Sequence, residues 1–100
     1  MIFEYFNKNQ FEEIGEIINQ HHERYDGTGY PNGLKEDEIL IEAQILSVVD
    51  AYDAMTSDRP YQKAITKEKA IKEIKTQKGK QFSPKVVKAF IKAIKKYDEK

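Results

Sequence analysis

Hydrophobic residues recur at three- and four-residue steps over most of the chain, and no stretch alternates apolar and polar residues as a half-buried strand does. This spacing predicts an all-α protein of about four helices. The first helix is expected to begin near Asn7 or Asn9 and to run into His21 and His22. Its apolar stripe consists of Phe3, Phe6, Phe11, Ile14, Ile17 and Ile18.

Residues 26–33, with the sequence DGTGYPNG, interrupt the helical pattern. Gly27, Gly29 and Gly33 favour positive φ, whereas Pro31 blocks helix propagation and biases Tyr30 towards extended geometry. We therefore expect one ordered glycine- and proline-rich loop between the first and second helices.

The second helix is predicted over about residues 39–55 and is apolar on most of its circumference, which is typical of a central helix. Pro60 prevents its continuation. Asp50 lies within it, where an ionised carboxylate without a partner would lose several kcal/mol of hydration. A cation, a hydrogen-bond network or exposure through a cleft would compensate; a structural tie to Arg59 or to a loop N–H is the alternative.

Capping residues delimit two further helices. Thr66 is the expected N-cap of the third helix, and Gly79 is its expected C-terminal stop. Ser83 is the expected N-cap of the fourth helix, with Pro84 at its first position. The core stripe of this last helix consists of Val86, Val87, Phe90, Ile91 and Ile94.

The composition is that of a soluble single domain, with 39% hydrophobic and 34% charged residues. The absence of cysteine excludes disulfides and thiolate metal ligands. Apolar runs are too short to span a bilayer, and Glu4 stands where a secretion signal carries basic residues. We therefore expect a cytoplasmic protein without a membrane segment.

A formal net charge of zero conceals a strong asymmetry. Residues 1–62 carry 13 acids and 4 bases, whereas residues 63–100 carry 4 acids and 13 lysines. The simpler interpretation is a solvated lysine face on two helices. The alternative is electrostatic docking of the basic part on the acidic part or on a phosphate-bearing partner.

The adjacent residues His21 and His22 are candidate metal ligands. Side chains of neighbouring helical residues point about 100° apart, so both would reach one region only where a metal cluster occupies it. Imidazole with carboxylate favours iron, manganese or zinc over copper(I). The alternative is a core histidine beside a surface histidine. Asp53 lies one turn after Asp50 on nearly the same face, which favours a cation or a donor-rich ligand between them.

Several motifs occur in a fixed order: HHE at 21–23, DGTGYP at 26–31, GL at 33–34, DAYDAM at 50–55, RPY at 59–61 and GKQFSP at 79–84. Over about residues 11–91 they closely resemble the second half of an HD-GYP domain, a family of metal-dependent cyclic di-GMP phosphodiesterases. The resemblance implies part of an HD-domain helical bundle. It identifies residues 1–100 as the carboxy-terminal half, without the half that carries the HD dipeptide.

The resemblance also implies roles for individual residues. His21, His22 and Asp50 would bind a divalent metal, with iron or manganese favoured over zinc. Asp53 and Arg59 would contact the cyclic dinucleotide, and the Arg59 guanidinium would pair with a phosphate.

Gly29, Tyr30 and Pro31 would form the family's signature loop, which walls the pocket and is implicated in docking partner proteins. A rigid proline turn whose tyrosine covers the core is the simpler interpretation of the same residues. Gln62 departs from the family, which usually has a basic residue there, so that Lys63 or another lysine would supply this charge.

The resemblance predicts a portion of a phosphodiesterase that hydrolyses cyclic di-GMP to pGpG or GMP, incomplete without the ligands of the HD half. In the complete family site, paired metals would generate the hydroxide that attacks phosphorus. The alternative is a catalytically inactive docking or regulatory module, which would bind a second copy, a diguanylate cyclase domain or the missing HD half. A third option is another nucleotide phosphohydrolase of the HD superfamily, which the GYP loop disfavours. Neither DNA nor a membrane is an expected partner.

Overall fold

A computed structural model of the chain describes residues 8–98, which form four α-helices. In chain order these are α1 (Lys8–Gln20), α2 (Ile41–Thr56), α3 (Lys67–Thr76) and α4 (Pro84–Asp98), with a 3₁₀ turn at Glu36–Glu38 before α2. Sheet-type pairing within 8–98 is limited to isolated bridges, so the predicted all-α fold is confirmed. Phe3, Phe6 and Asn7 of the predicted first helix lie outside the described residues. None of the described helices is long and apolar enough to cross a membrane.

The predicted N-caps of the last two helices are confirmed. The hydroxyl of Thr66 accepts the N–H of Lys69 at 3.2 Å, and the hydroxyl of Ser83 accepts the N–H of Val86 at 3.4 Å. Each bond satisfies a backbone donor that the first turn of a helix leaves unpaired.

The predicted C-terminal stop of α3 is wrong by a few residues. The helix ends at Thr76, because the N–H of Gln77 turns back to the carbonyls of Ile74 and Lys75 and tightens the last turn. Gly79 does adopt a positive φ of 78°, but it serves the turn between α3 and α4, where its N–H donates to the carbonyl of Phe82 at 2.8 Å.

The core lies between α2, α3 and α4, and α2 contacts all three other helices, as predicted for a central helix. The Tyr52 and Phe90 rings meet edge to face beside the core, with centroids 5.3 Å apart. The buried core residues of this cluster are Val48, Ile74, Phe82, Val86 and Val87.

One apolar face of α2 is nevertheless exposed. Ile41, Ile45 and Val49 lie one turn apart and retain 43–49% of their accessible surface. Together with Val86 and Phe90 of α4 they line an open groove of about 460 Å³. Although α2 contacts the three other helices, this apolar face of it stays uncovered among the described residues.

Buried amide side chains fix the approach of α1 to α2. Gln20, the last residue of α1, accepts the N–H of Leu40 on its side-chain oxygen at 2.8 Å. The side-chain amide of Gln44 donates to the carbonyl of Ile39 at 2.8 Å. These bonds hold residues 39 and 40 outside the helix, so α2 begins at Ile41, two residues later than predicted.

Candidate functional site

The histidine pair lies in the turn that follows α1, and not inside the helix as the sequence suggested. Their ring centroids are 3.8 Å apart, with a 41° angle between the ring planes. Nδ1 of His21 is hydrogen-bonded to the carbonyl oxygen of Ile18. If Nδ1 is the donor of this bond, the lone pair of Nε2 is free. This is the usual arrangement of a metal-binding histidine.

An open cavity of about 350 Å³ brings the histidine pair, the loop and α2 together. The sequence-predicted residues His21, His22, Gly29, Tyr30 and Asp50 all contribute to its wall. The remaining lining residues are Glu23, Arg24, Thr28, Ala51, Ala54 and Gln81.

Asp50 is exposed on α2. The cavity leaves this side of α2 open to solvent, and Ala51 and Ala54 beside it are too small to cover the carboxylate. Exposure through a cleft, one of the compensations expected from the sequence, therefore applies here. Arg59, the alternative structural partner of Asp50, pairs with Asp53.

The donor types in this cavity suit a divalent metal, since imidazole and carboxylate ligands are those of iron, manganese and zinc sites. Within residues 8–98, however, no three His, Cys, Asp or Glu side chains lie close enough together to hold an ion. The described residues thus supply the chemistry of a metal site but not a complete set of ligands. His21 and His22 are the only histidines of the sequence.

The loop that forms one wall of the cavity depends on three glycines in two different ways. Gly27 and Gly33 adopt positive φ values of 86° and 64°, as predicted. Gly29 does not, but a Cβ there would lie 2.4 Å from the backbone nitrogen of Arg24 and 2.5 Å from the carbonyl oxygen of His22. Gly29 is therefore required by close backbone approach, a contact that no local sequence signal reveals.

Tyr30 packs on the histidine pair and not on the core. Its ring stacks on that of His22, with centroids 5.0 Å apart and planes 13° from parallel. Because 63% of its surface is exposed, the interpretation of Tyr30 as a cover for the core is wrong. The Tyr30–Pro31 peptide bond is cis, and Pro31 is exposed.

The first residues of the loop are bonded to the segment that precedes α4. The N–H of Tyr25 donates to the carbonyl of Gln81 at 3.1 Å, and the N–H of Asp26 donates to the carbonyl of Lys80 at 2.8 Å. The two backbone bonds place Gln81 in the wall of the cavity.

Asp26 closes a local turn beside this wall. Its carboxylate accepts the hydroxyl of Thr28 at 2.6 Å and the N–H of Thr28 at 3.0 Å, and Arg24 lies 3.7 Å away. The Thr28 hydroxyl, then the Thr28 N–H, and to a smaller extent Arg24 hold the pKa of Asp26 below its ordinary value of 3.8.

Asp53 and Arg59, the predicted substrate contacts, lie together but do not line the histidine cavity. Nη2 of Arg59 is 3.4 Å from Oδ2 of Asp53, and the hydroxyl of Ser57 donates to Oδ1 of the same carboxylate at 3.2 Å. Among the described residues, no group accepts from the buried Nε of Arg59.

Glu23 is the residue of this site that sequence reasoning did not single out. It follows the histidine pair, is only 3% exposed and accepts backbone N–H groups of the loop. Its partners lie 9 and 11 residues further along the chain, beyond the range of helical or strand periodicity. Glu23 is the third residue of the HHE motif, but the motif implied a role only for the two histidines.

Sequence comparison finds a matching family and several relatives. The family model of an HD domain matches residues 4–86. The chain is 53% identical over 77 residues to a cyclic di-GMP phosphodiesterase of Thermotoga maritima and 43% identical over 86 residues to the cyclic di-GMP phosphodiesterase response regulator RpfG of Xanthomonas campestris. It is also 43% identical over 72 residues to a 3'3'-cGAMP-specific phosphodiesterase of Vibrio cholerae.

These alignments cover 77%, 85% and 72% of this chain, respectively. They cover only 21%, 23% and 14% of the three relatives. The chain thus spans about a fifth of the length of the first two proteins and less of the third.

Proposed function

Because this chain belongs to the HD domain family, we propose that it forms the carboxy-terminal part of an HD-GYP-type catalytic domain that hydrolyses cyclic di-GMP to pGpG or GMP. The observation that carries this proposal is the single cavity in which His21, His22 and Asp50 meet the loop around Tyr30. The names of its relatives, which are phosphodiesterases of cyclic dinucleotides, support the substrate class.

In this proposal the histidine pair and Asp50 are ligands of a divalent metal, iron or manganese before zinc. Such an ion would supply Lewis acidity and an activated water for attack on phosphorus. The hydrogen bond to Ile18 orients the His21 ring, and the exposed carboxylate of Asp50 faces the same cavity. Since these three side chains do not lie close enough together to hold an ion by themselves, we propose that further ligands from outside 8–98 complete the site and that this chain alone is inactive.

Asp53 and Arg59 are proposed to contact the cyclic dinucleotide beside the metal ligands. Asp53 follows Asp50 by three residues on α2, a rise of about 4.5 Å, which is within the span of a dinucleotide. The guanidinium of Arg59 has a planar fork of donors that matches a phosphate. The long 3.4 Å contact to Asp53 leaves the terminal guanidinium nitrogens able to donate to a phosphate.

Metal binding by substituted chains tests the ligand assignment. After loading with Mn²⁺ and desalting, we expect His22→Ala and Asp50→Ala to retain less metal than the unsubstituted chain in elemental analysis. Asp37→Ala, which removes an exposed carboxylate of the 3₁₀ turn away from the cavity, is the matched control and should retain the full amount. Unchanged metal content in both cavity variants would show that the ligand assignment is wrong.

Turnover by the unsubstituted chain tests its incompleteness. With cyclic di-GMP and stoichiometric Mn²⁺ or Fe²⁺, we expect no pGpG or GMP to be detected by chromatography. Product formation under these conditions would mean that 100 residues carry a complete catalytic site.

A docking or regulatory module is the second candidate, and the exposed groove between α2 and α4 favours it. A contiguous apolar surface of this kind usually marks an interface. The fitting occupant is a second copy of this chain, because Lys85 of the lysine-rich α4 lines the groove and α1 carries the acidic residues Glu12, Glu13 and Glu16. Docking to a diguanylate cyclase domain or to the HD half stays a prediction.

Sedimentation equilibrium distinguishes this second candidate. We expect the chain to self-associate at high micromolar concentration and Ile45→Glu, in the floor of the groove, to be monomeric. Tyr61→Glu is the control, since Tyr61 is 80% exposed outside the groove, and it should associate like the unsubstituted chain. A monomeric unsubstituted chain would contradict self-association.

A further inference from the structure

We propose that Glu23 is a positioning residue. It holds the cavity loop, residues 26–34, and the histidine pair together as one rigid unit. The inference rests on the proposed function only in its second part, which concerns metal binding by the histidines. Its first part, the hold of Glu23 on the loop, concerns the structure alone.

The first step is the burial of Glu23. Its exposed fraction is 3%, although glutamate is among the residues that proteins bury least often. Removing a carboxylate from water is costly unless its oxygens gain strong hydrogen bonds. A buried carboxylate therefore requires specific partners.

Two backbone amides of the loop are these partners. The N–H of Asn32 donates to Oε2 of Glu23 at 2.8 Å, and the N–H of Leu34 donates to Oε1 at 2.9 Å. Hydrogen bonds to a charged acceptor are about twice as strong as those between neutral groups. Gly33, with its φ of 64°, turns the chain between these two amides, so that both point at one carboxylate.

The loop also contacts the backbone on either side of Glu23. The absent side chain of Gly29 allows the loop to approach the carbonyl oxygen of His22 and the nitrogen of Arg24. The N–H of Tyr30 donates to that same carbonyl at 3.4 Å, and the Tyr30 ring stacks on His22. Displacing the loop would therefore displace His22.

The engagement of both carboxylate oxygens distinguishes Glu23 from Asp50. The Asp50 carboxylate is exposed in the cavity, whereas each Glu23 oxygen already accepts a backbone amide. The structure thus assigns Glu23 to holding the loop and orienting its neighbour, and Asp50 to ligand binding.

Amide hydrogen exchange by NMR tests the first part. In the unsubstituted chain we expect the N–H protons of Asn32 and Leu34 to be protected although they lie in a loop. Glu23→Gln keeps the shape but turns one acceptor oxygen into an NH₂ group, and we expect about tenfold faster exchange at one or both amides. Glu73→Gln, on the exposed face of α3, is the matched control and should leave both rates unchanged.

Mn²⁺ affinity, measured by titration calorimetry on the same proteins, tests the second part. We expect Glu23→Gln to bind Mn²⁺ about tenfold more weakly, as substitutions behind metal ligands commonly do. Faster exchange with unchanged affinity would overturn the link to the histidines. If the unsubstituted chain binds no Mn²⁺, the proposed function fails in this chain and the link to metal binding fails with it, while the exchange result stands by itself.

Two results overturn the hold on the loop. One is unprotected Asn32 and Leu34 amides in the unsubstituted chain, a measurement that needs no variant to fold. The other is a folded Glu23→Gln protein with the exchange rates of the unsubstituted chain at both positions.

Discussion

The helical core and the cavity loop are held in place by different forces. In the core, Val48, Ile74 and Val87 are completely buried and interact through apolar contact. The loop and the start of α2 are held by hydrogen bonds to buried polar side chains: Gln20 and Glu23 accept backbone N–H groups, and Gln44 donates to a backbone carbonyl. Apolar packing supplies stability and tolerates exchange of similar residues, whereas directional hydrogen bonds define one geometry. The site is thus shaped by polar contacts on a scaffold stabilised by apolar ones.

Truncation in the core is expected to have the largest effect on stability. Ile74→Ala removes a completely buried side chain of α3, and we expect it to lower the free energy of unfolding by about 2–5 kcal/mol. Urea denaturation followed by circular dichroism measures the change.

Ile45→Ala is the control for this experiment, because Ile45 is 48% exposed and should cost less than Ile74→Ala. Equal losses in the two variants would contradict the location of the core between α2, α3 and α4.

A methyl group at Gly29 is expected to lower stability less than Ile74→Ala does, and to change the structure mainly in the loop. Gly29→Ala places a Cβ 2.4 Å from the backbone nitrogen of Arg24, so the loop must shift, and we expect a loss of about 1–3 kcal/mol. NMR chemical shifts should change for His22 and Tyr30 but not for Val87 in the core.

Gly15→Ala is the matched control with the opposite sign. Among the described residues, no atom beyond the neighbouring backbone of α1 lies within 4 Å of a Cβ at Gly15, so we expect a gain of about 0.5–1 kcal/mol from helix propensity. If both substitutions change stability equally, the close approach of the loop to the histidine turn is incorrect.

The smallest effect is expected for the pKa of Asp26. Since the folded pKa lies below 3.8, the carboxylate contributes stability above that pH and loses it as the pH falls through the folded pKa. Thr28→Val removes the main cause, the hydroxyl donor, and should raise the pKa of Asp26 towards its ordinary value. Carboxyl titration by NMR measures this change. Thr56→Val, whose hydroxyl donates to the Tyr52 carbonyl, should leave it unchanged.

The sequence predicted the parts of the fold that depend on local or periodic signals. Thr66 and Ser83 cap their helices as expected, because a capping hydroxyl acts on an amide three residues away. The start of α2 was predicted two residues too early, since a bond between Gln20 and Leu40, twenty residues apart, has no periodic signature.

The sequence likewise predicted some features of the site and left others unpredicted. The motif resemblance identified His21, His22 and Asp50, and the structure brings all three to one cavity. The sequence left open whether Asp50 is exposed, and it did not reveal that Glu23 supports the loop. Both facts follow from which backbone segments approach each other in three dimensions, as the contact of Gly29 with the histidine turn also does.

The two bonds from Tyr25 and Asp26 to the carbonyls of Gln81 and Lys80 involve main-chain atoms alone. Almost any side chain can therefore stand at these four positions without severing the junction, although proline at 25 or 26 would remove a donor. Such a junction transmits displacement without demanding a particular residue. A movement of the beginning of α4 would therefore also move the base of the loop, whichever side chains occupy these positions.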